Sequence, residues 1–136
     1  MSSIVISYKD WFDEHAQKHK KIIDKLSSFS DDEIIDYFDF DNMKQKEKDF
    51  CIMYKKNQKC HDMKELNCYL CACPNFRVGE FKSFCAIDSK DGSTIESKGY
   101  IHQNCSNCTI PHTKDYVKRY FNRDWKKIFC KTFILD

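Results

Sequence analysis

The chain is 136 residues long, 41% hydrophobic and 15% aromatic, with only three glycines and two prolines, a composition that can bury a core and excludes a disordered chain. Its 23 basic and 21 acidic residues leave a formal charge of +2, so net charge alone implies no polyanionic partner. The start lacks a basic n-region and has an apolar run of only Ile4, Val5 and Ile6, and no later run approaches the about 18 apolar residues of a membrane span, so a cytoplasmic protein with no membrane partner is expected.

Ser7 followed by Asp10 resembles a helix start. Trp11, Phe12, His15, Ala16, His19, Ile22, Ile23 and Leu26 then recur at three- and four-residue steps, which predicts an amphipathic helix ending near residues 27–29. His15 and His19 have the spacing of a helical metal pair, but no acidic or cysteine partner matches it, and the surrounding lysines predict a solvated face. Ser30-Asp31-Asp32-Glu33 is a full capping box, followed by Ile34, Ile35 and Phe38 on one face of a second helix that runs into Phe40. Residues 41–49 are polar and lysine-rich and read as a solvated helical extension or connector.

From Phe50 the helical period fades and turn markers multiply. Thr94-Ile95 and Tyr100-Ile101 around Ser97-Lys98-Gly99 predict a small hairpin, residues 76–87 a short strand or loop, and His102 a turn position. After His112 the helical pattern returns: Tyr116, Val117, Tyr120 and Phe121 share a face, Asn122 or Asp124 can cap a further turn, and Trp125, Ile128, Phe129 and Phe133 form a last stripe in which Cys130 reads as core. The expected organisation is a helical hairpin and connector over 1–49, a cysteine-rich region over 50–113 and a helical segment over 114–136, together one domain. The expected fold is an α fold with small irregular or β parts, its helical flanks packed around a central metal-stapled, loop-rich cysteine knot.

Eight of the nine cysteines and three of the five histidines fall between Cys51 and His112, a density that no ordinary hydrophobic core needs. Reducing conditions keep thiols free and make metal binding or redox chemistry the usual reason for such clustering, and an odd count suits a pure disulfide framework badly. Tetrahedral zinc takes four thiolate or imidazole ligands, often paired as Cys-x-x-Cys because one tight turn then presents two sulfurs. Cys68-x-x-Cys71 and Cys105-x-x-Cys108 are two such pairs. Cys51, Cys60, His61, Cys73, Cys85 and His112 add further candidates, with Cys108 and His112 spaced like a ligand pair across one helical turn, so the set suits two ions.

These residues resemble a known family. The runs Phe50-Cys51, Lys59-Cys60-His61, Asn67-Cys68-Tyr69-Leu70-Cys71-Ala72-Cys73-Pro74 and Asn104-Cys105-Ser106-Asn107-Cys108-Thr109-Ile110-Pro111-His112 look like the cysteine-rich small domain, a zinc-finger-like, metal-binding family of prokaryotes, over residues 50–113. The resemblance implies that these cysteines, with His61 and His112, are metal ligands, and it brings no activity with it. Between Cys51 and Cys60, where members commonly carry another cysteine and a Tyr-Phe-Pro run, this chain reads Ile52-Met53-Tyr54-Lys55-Lys56-Asn57-Gln58-Lys59.

The leading expectation is a structural module in which zinc supplies folding energy and the surface binds a protein partner. A nucleic-acid-binding alternative rests on Lys114, Lys118, Arg119, Arg123, Lys126, Lys127 and Lys131, interleaved with Tyr116, Tyr120 and Trp125. A third class is an iron-sulfur or redox protein, for which the close Cys68, Cys71 and Cys73 are suited. No general-base carboxylate motif and no Gly-rich phosphate loop is recognisable, so catalysis is not the expectation.

Overall fold

The computed structural model describes residues 3–59, 63–71, 73–105 and 108–134. In chain order these form α1 (Ser3–Lys25), α2 (Asp31–Tyr37), α3 (Phe40–Lys46), α4 (Ile52–Lys55), β1 (Phe76–Val78), β2 (Ser83–Cys85), β3 (Ser93–Ser97), β4 (Tyr100–Asn104), a 3-10 turn (Ile110–His112), α5 (Lys114–Tyr120) and α6 (Trp125–Ile128). The architecture is mixed: helices at both ends and two small antiparallel sheets between them. No described helix is long and apolar enough to cross a membrane.

α1 begins before the expected cap. Ser7 lies inside the helix and its hydroxyl donates to the Ser3 carbonyl four residues back (3.0 Å), a bond that a mid-helix serine makes when it has no terminus to cap. The apolar face is continuous through Val5, Phe12, Ala16 and Ile22, and both histidines belong to it. The solvated face expected for His15 and His19 is therefore corrected: their side chains are 6% and 0% exposed. The stacking partners explain why, since His15 lies flat on Trp11 (4.8 Å) and His19 on Phe38 (4.9 Å), with Tyr69 edge-on to His19 at 4.5 Å. Lys20 and Lys21, which follow them, are exposed, while Lys18 between them is half-buried.

The capping box forms as expected, with Ser30 Oγ accepting from Glu33 N–H (3.2 Å) and Glu33 accepting from Ser30 N–H (3.0 Å); such a cap contributes about 1 kcal/mol. α2 nevertheless stops at Tyr37 rather than running into Phe40. The break is made by a segment distant in sequence: Phe40 N–H donates to the Leu66 carbonyl (2.9 Å), Cys68 N–H donates to the Phe38 carbonyl (2.8 Å), and Asp39 bridges Asn67. Extended backbone at Asp39 (ψ 142°) lets Phe38 and Phe40 both point into the core and starts α3.

The hairpin expected near residue 98 is β3–β4, with Ser97 opposite Tyr100. Lys98 and Gly99 between them have φ of 53° and 79°, the doubly positive pattern of a two-residue turn whose twist matches the strands. His102 stands in β4 rather than in a turn. Residues 76–87 form the second hairpin, β1–β2, with Phe76 opposite Cys85. The C-terminal segment adds to its edge, Val78 N–H donating to Thr132 and Ile134 N–H to Val78, so Phe133 packs from an extended stretch beyond α6.

The main core joins both flanks and the central segment: Ile22 of α1 and Leu26 just past its end, Ile34 and Ile35 of α2, Phe38, Met43, Tyr54, Tyr69, Leu70 and Val117 of α5 pack as one cluster. Phe12 and Ala16 meet Trp125 and Phe129 in a second, and Val5, Val78 and Tyr100 form a third. Cys130, expected in the core, is exposed, because α6 ends at Ile128 and the chain turns before the stripe can continue.

Candidate functional site

Seven of the eight described cysteines fall into two groups, and Cys130 stands apart, exposed. Four of them, Cys73, Cys85, Cys105 and Cys108, line one cavity of about 20 Å³, about the room of one water molecule. Three separate local structures deliver them. Cys73 sits in the turn before β1, its N–H donating to Leu70 and its carbonyl accepting from Phe76. Cys85 ends β2, whose register is fixed through Phe76. Cys105 and Cys108 flank the tight turn after β4, closed by Cys108 N–H to the Cys105 carbonyl (3.0 Å), the turn that Cys-x-x-Cys spacing predicts.

The four thiols lie near enough to repel one another's charge. Burial first, and then the neighbouring Cys105, Cys85 and Cys108, push the Cys73 thiol up to about 11 against the opposing backbone of Asn75. Burial, then Cys108 and Cys85, push Cys105 upward as well. Cys73 also has a φ of 60°, a left-handed conformation that costs a residue with a Cβ roughly 1 kcal/mol. Ser89 Oγ stands 3.4 Å from the Cys108 sulfur.

The second group is Cys51, Cys68 and Cys71, gathered around the Tyr54 ring. Cys51 is the residue before α4 and presents no cap bond of its own. Cys68 is held by the pairing with Phe38 and by Asn67, whose side-chain amide donates to the Ile35 carbonyl (2.7 Å) and to Asp39 (3.0 Å) and accepts from Tyr69 N–H. The Cys71 thiol hydrogen-bonds Cys68 and holds it below its ordinary value despite burial, with the Tyr54 hydroxyl adding to the effect. Burial raises Cys51. Tyr54 is pushed far above the usual tyrosine range by burial and then by Cys68, Cys71 and Cys51, and its hydroxyl is buried beside Cys68 without good hydrogen-bond geometry.

Cys68 and Cys71 thus lie in one group, and Cys105 and Cys108 in the other. Asn67 ties the first pair to the helical core, while the second follows β4 on the hairpin side. Cys60 and His61 lie outside the described residues. His112 is buried, its Nδ1 paired with the Asn67 carbonyl at 2.9 Å, and it lines a larger apolar cleft rather than the four-thiol cavity. Between Cys108 and His112 the chain enters a 3-10 turn, Ile110–His112, with Pro111 in its first positions. Tyr54, at the centre of the three-thiol group, was missed by sequence reading; only its place three residues after Cys51 hinted at it.

As they stand, no three or more His, Cys, Asp or Glu side chains among the described residues form a group able to hold a metal ion. The C-terminal basic residues are partly neutralised: Lys114 bonds Asp39 and Asp36 (2.9 Å each), Arg123 bonds Asp31 (2.9 Å), and Lys126 lies 3.6 Å from Asp13. Comparison with family models, with curated proteins and with solved structures finds no match for this chain.

Proposed function

We propose that the chain is a structural metal module that binds two zinc ions through thiolates and offers its surface to a protein partner. The observation that carries this reading is the convergence of Cys73, Cys85, Cys105 and Cys108 from three separate local structures on one cavity of about 20 Å³. Four sulfurs are a complete tetrahedral set for structural zinc. The left-handed backbone at Cys73 fits a residue retained for where its sulfur must be rather than for its conformational preference. Binding would draw the sulfurs inward and deprotonate them, so metal uptake would contribute directly to folding.

The second ion would be held by Cys51, Cys68 and Cys71, with Cys60 or His61 as sequence candidates for the fourth ligand. This assignment agrees with what the resemblance to the cysteine-rich small domain implies for these cysteines, and it leaves His112 outside both sets. Cobalt(II), which is coloured in tetrahedral thiolate sites, tests the division. The parent should take up about two equivalents, and Cys85→Ser and Cys51→Ser should each lose one thiolate-type absorption while keeping the other. Loss of both bands in either variant would mean that the thiols form a single set.

Nucleic-acid binding is the second reading, favoured by one cleft. Arg77, Arg119, Lys127 and Lys131 line a cavity of about 460 Å³ that includes Tyr120 and, among the described residues, no carboxylate. Four cations around an aromatic ring that is 40% exposed suit a single strand, whose backbone follows the charges while a base stacks. The expected result is a salt-dependent affinity for a single-stranded oligonucleotide that falls about tenfold in Arg119→Ala/Lys127→Ala, with a shallower salt slope. A parent protein without such affinity ends this reading.

A further inference from the structure

A cleft of about 640 Å³ opens between α1 and the β3–β4 hairpin, within the size range of small-molecule sites. Tyr8, Trp11 and Phe12 form one wall, a single face of α1 at three- and four-residue spacing, and Phe76 and His102 contribute to the other. The wall is braced: Tyr8 Oη meets His102 Nδ1 at 2.6 Å and Ser83 Oγ at 3.4 Å, and Ser83 Oγ accepts from Gln103 N–H at 2.7 Å. Trp11 is 46% exposed yet lies flat on His15, so a large aromatic surface is held open to solvent in a fixed orientation. A bare indole of this kind is an anchor for flat apolar ligands.

The charge around the cleft decides which flat ligands fit. Among the described residues no aspartate or glutamate lines it, and Lys98, at the tip of the β3–β4 turn, is the one permanently charged residue that does. Aromatic walls can also receive organic cations, but a wall without a carboxylate and with an ammonium at its mouth repels them. We propose that this cleft binds a small planar aromatic acid, its ring between Trp11 and the hairpin and its carboxylate toward Lys98. The site borders the four-thiol group through Cys73 and Cys105, but it does not depend on metal there.

Three naphthalene probes of one ring size test this on the full-length protein, followed by NMR at the Trp11 indole N–H and the Gly99 amide: 2-naphthoate, naphthalene-2-methanol and 2-naphthylmethylammonium. Saturable shifts at those two positions are expected, with affinity falling in the order acid, alcohol, cation. Lys98→Glu, in an exposed turn remote from the core, should weaken the acid about threefold and leave the alcohol within about twofold. Trp11→Ala should weaken all three about fivefold or more. The proposal is overturned by the absence of saturable shifts up to about 1 mM, a dissociation constant at the weak limit of specific binding, by a cation that binds as tightly as the acid, or by an unchanged acid affinity in Lys98→Glu. Should Trp11→Ala fail to fold, the charge series and Lys98→Glu still decide.

Discussion

Cys105→Ser should bind about one metal ion fewer than the parent and melt roughly 15 °C lower, the consequence of losing about 4 kcal/mol with a structural metal site. Serine keeps the size of cysteine but does not give up its proton to become a ligand, so the substitution tests ligation rather than packing. The cost concentrates in the hairpin region. There Cys73 and Cys105 are both raised by burial and by the thiols around them, so it is a bound cation that would favour their thiolate forms and hold the sulfurs together. Cys130, exposed and in neither group, is the control: Cys130→Ser should leave metal content and melting temperature unchanged. A Cys105→Ser protein with the parent's metal content and stability would remove the four-thiol site from consideration.

The second large effect is acid sensitivity. Burial holds His15 down to about 4 and His19 down to about 3, with Lys18 beside His15 and His15 beside His19 adding to the effect. Neither nitrogen of His19, nor Nε2 of His15, finds a hydrogen-bond partner among the described residues; the Tyr69 backbone near His19 favours its charged form slightly without bonding it. In the unfolded chain both residues titrate near 6.5, so below that value the unfolded state takes up protons that the folded state refuses. The stabilisation is thus complete above about pH 6.5 and is lost as pH falls toward the folded values. The loss is about 2 kcal/mol per histidine by pH 5, or roughly 4 kcal/mol for the pair. His19→Phe keeps a ring against Phe38 and Tyr69 while removing two buried unpaired nitrogens. It should be neutral or stabilising at pH 7 and should halve the loss between pH 7 and pH 5 measured by denaturant unfolding. An unchanged pH dependence would show that His19 is not the group responsible.

The same two histidines show where sequence reading worked and where it stopped. Their place on the apolar period of α1 was legible, but the lysines around them argued for solvent. Only the arrival of Phe38, Phe50, Tyr69 and Trp125 from other elements decides for burial. Local signals behaved as local physics requires. The capping box at Ser30, the turn at Lys98-Gly99 and the cap at Asp124, which accepts from Lys126 N–H, each involve neighbours within a few residues and were readable.

Long-range effects were not. The break between α2 and α3 is imposed by residues 66–68, and the edge that Thr132 and Ile134 add to β1 crosses more than 50 positions; no short window contains either. The cysteines follow the same division. The Cys105–Cys108 turn was legible from its spacing, but its partners, Cys73 and Cys85, are set by the β1–β2 register. The sharing of thiols between two groups is likewise a property of the tertiary fold.

The central claim is that the two thiol groups are zinc sites. It is tested most directly by plasma mass spectrometry and a visible absorption spectrum of the protein purified anaerobically without added metal. The account predicts about two zinc ions per chain and a colourless protein. Iron accompanied by sulfide-type visible absorption, or a fully folded protein carrying no metal, would contradict it.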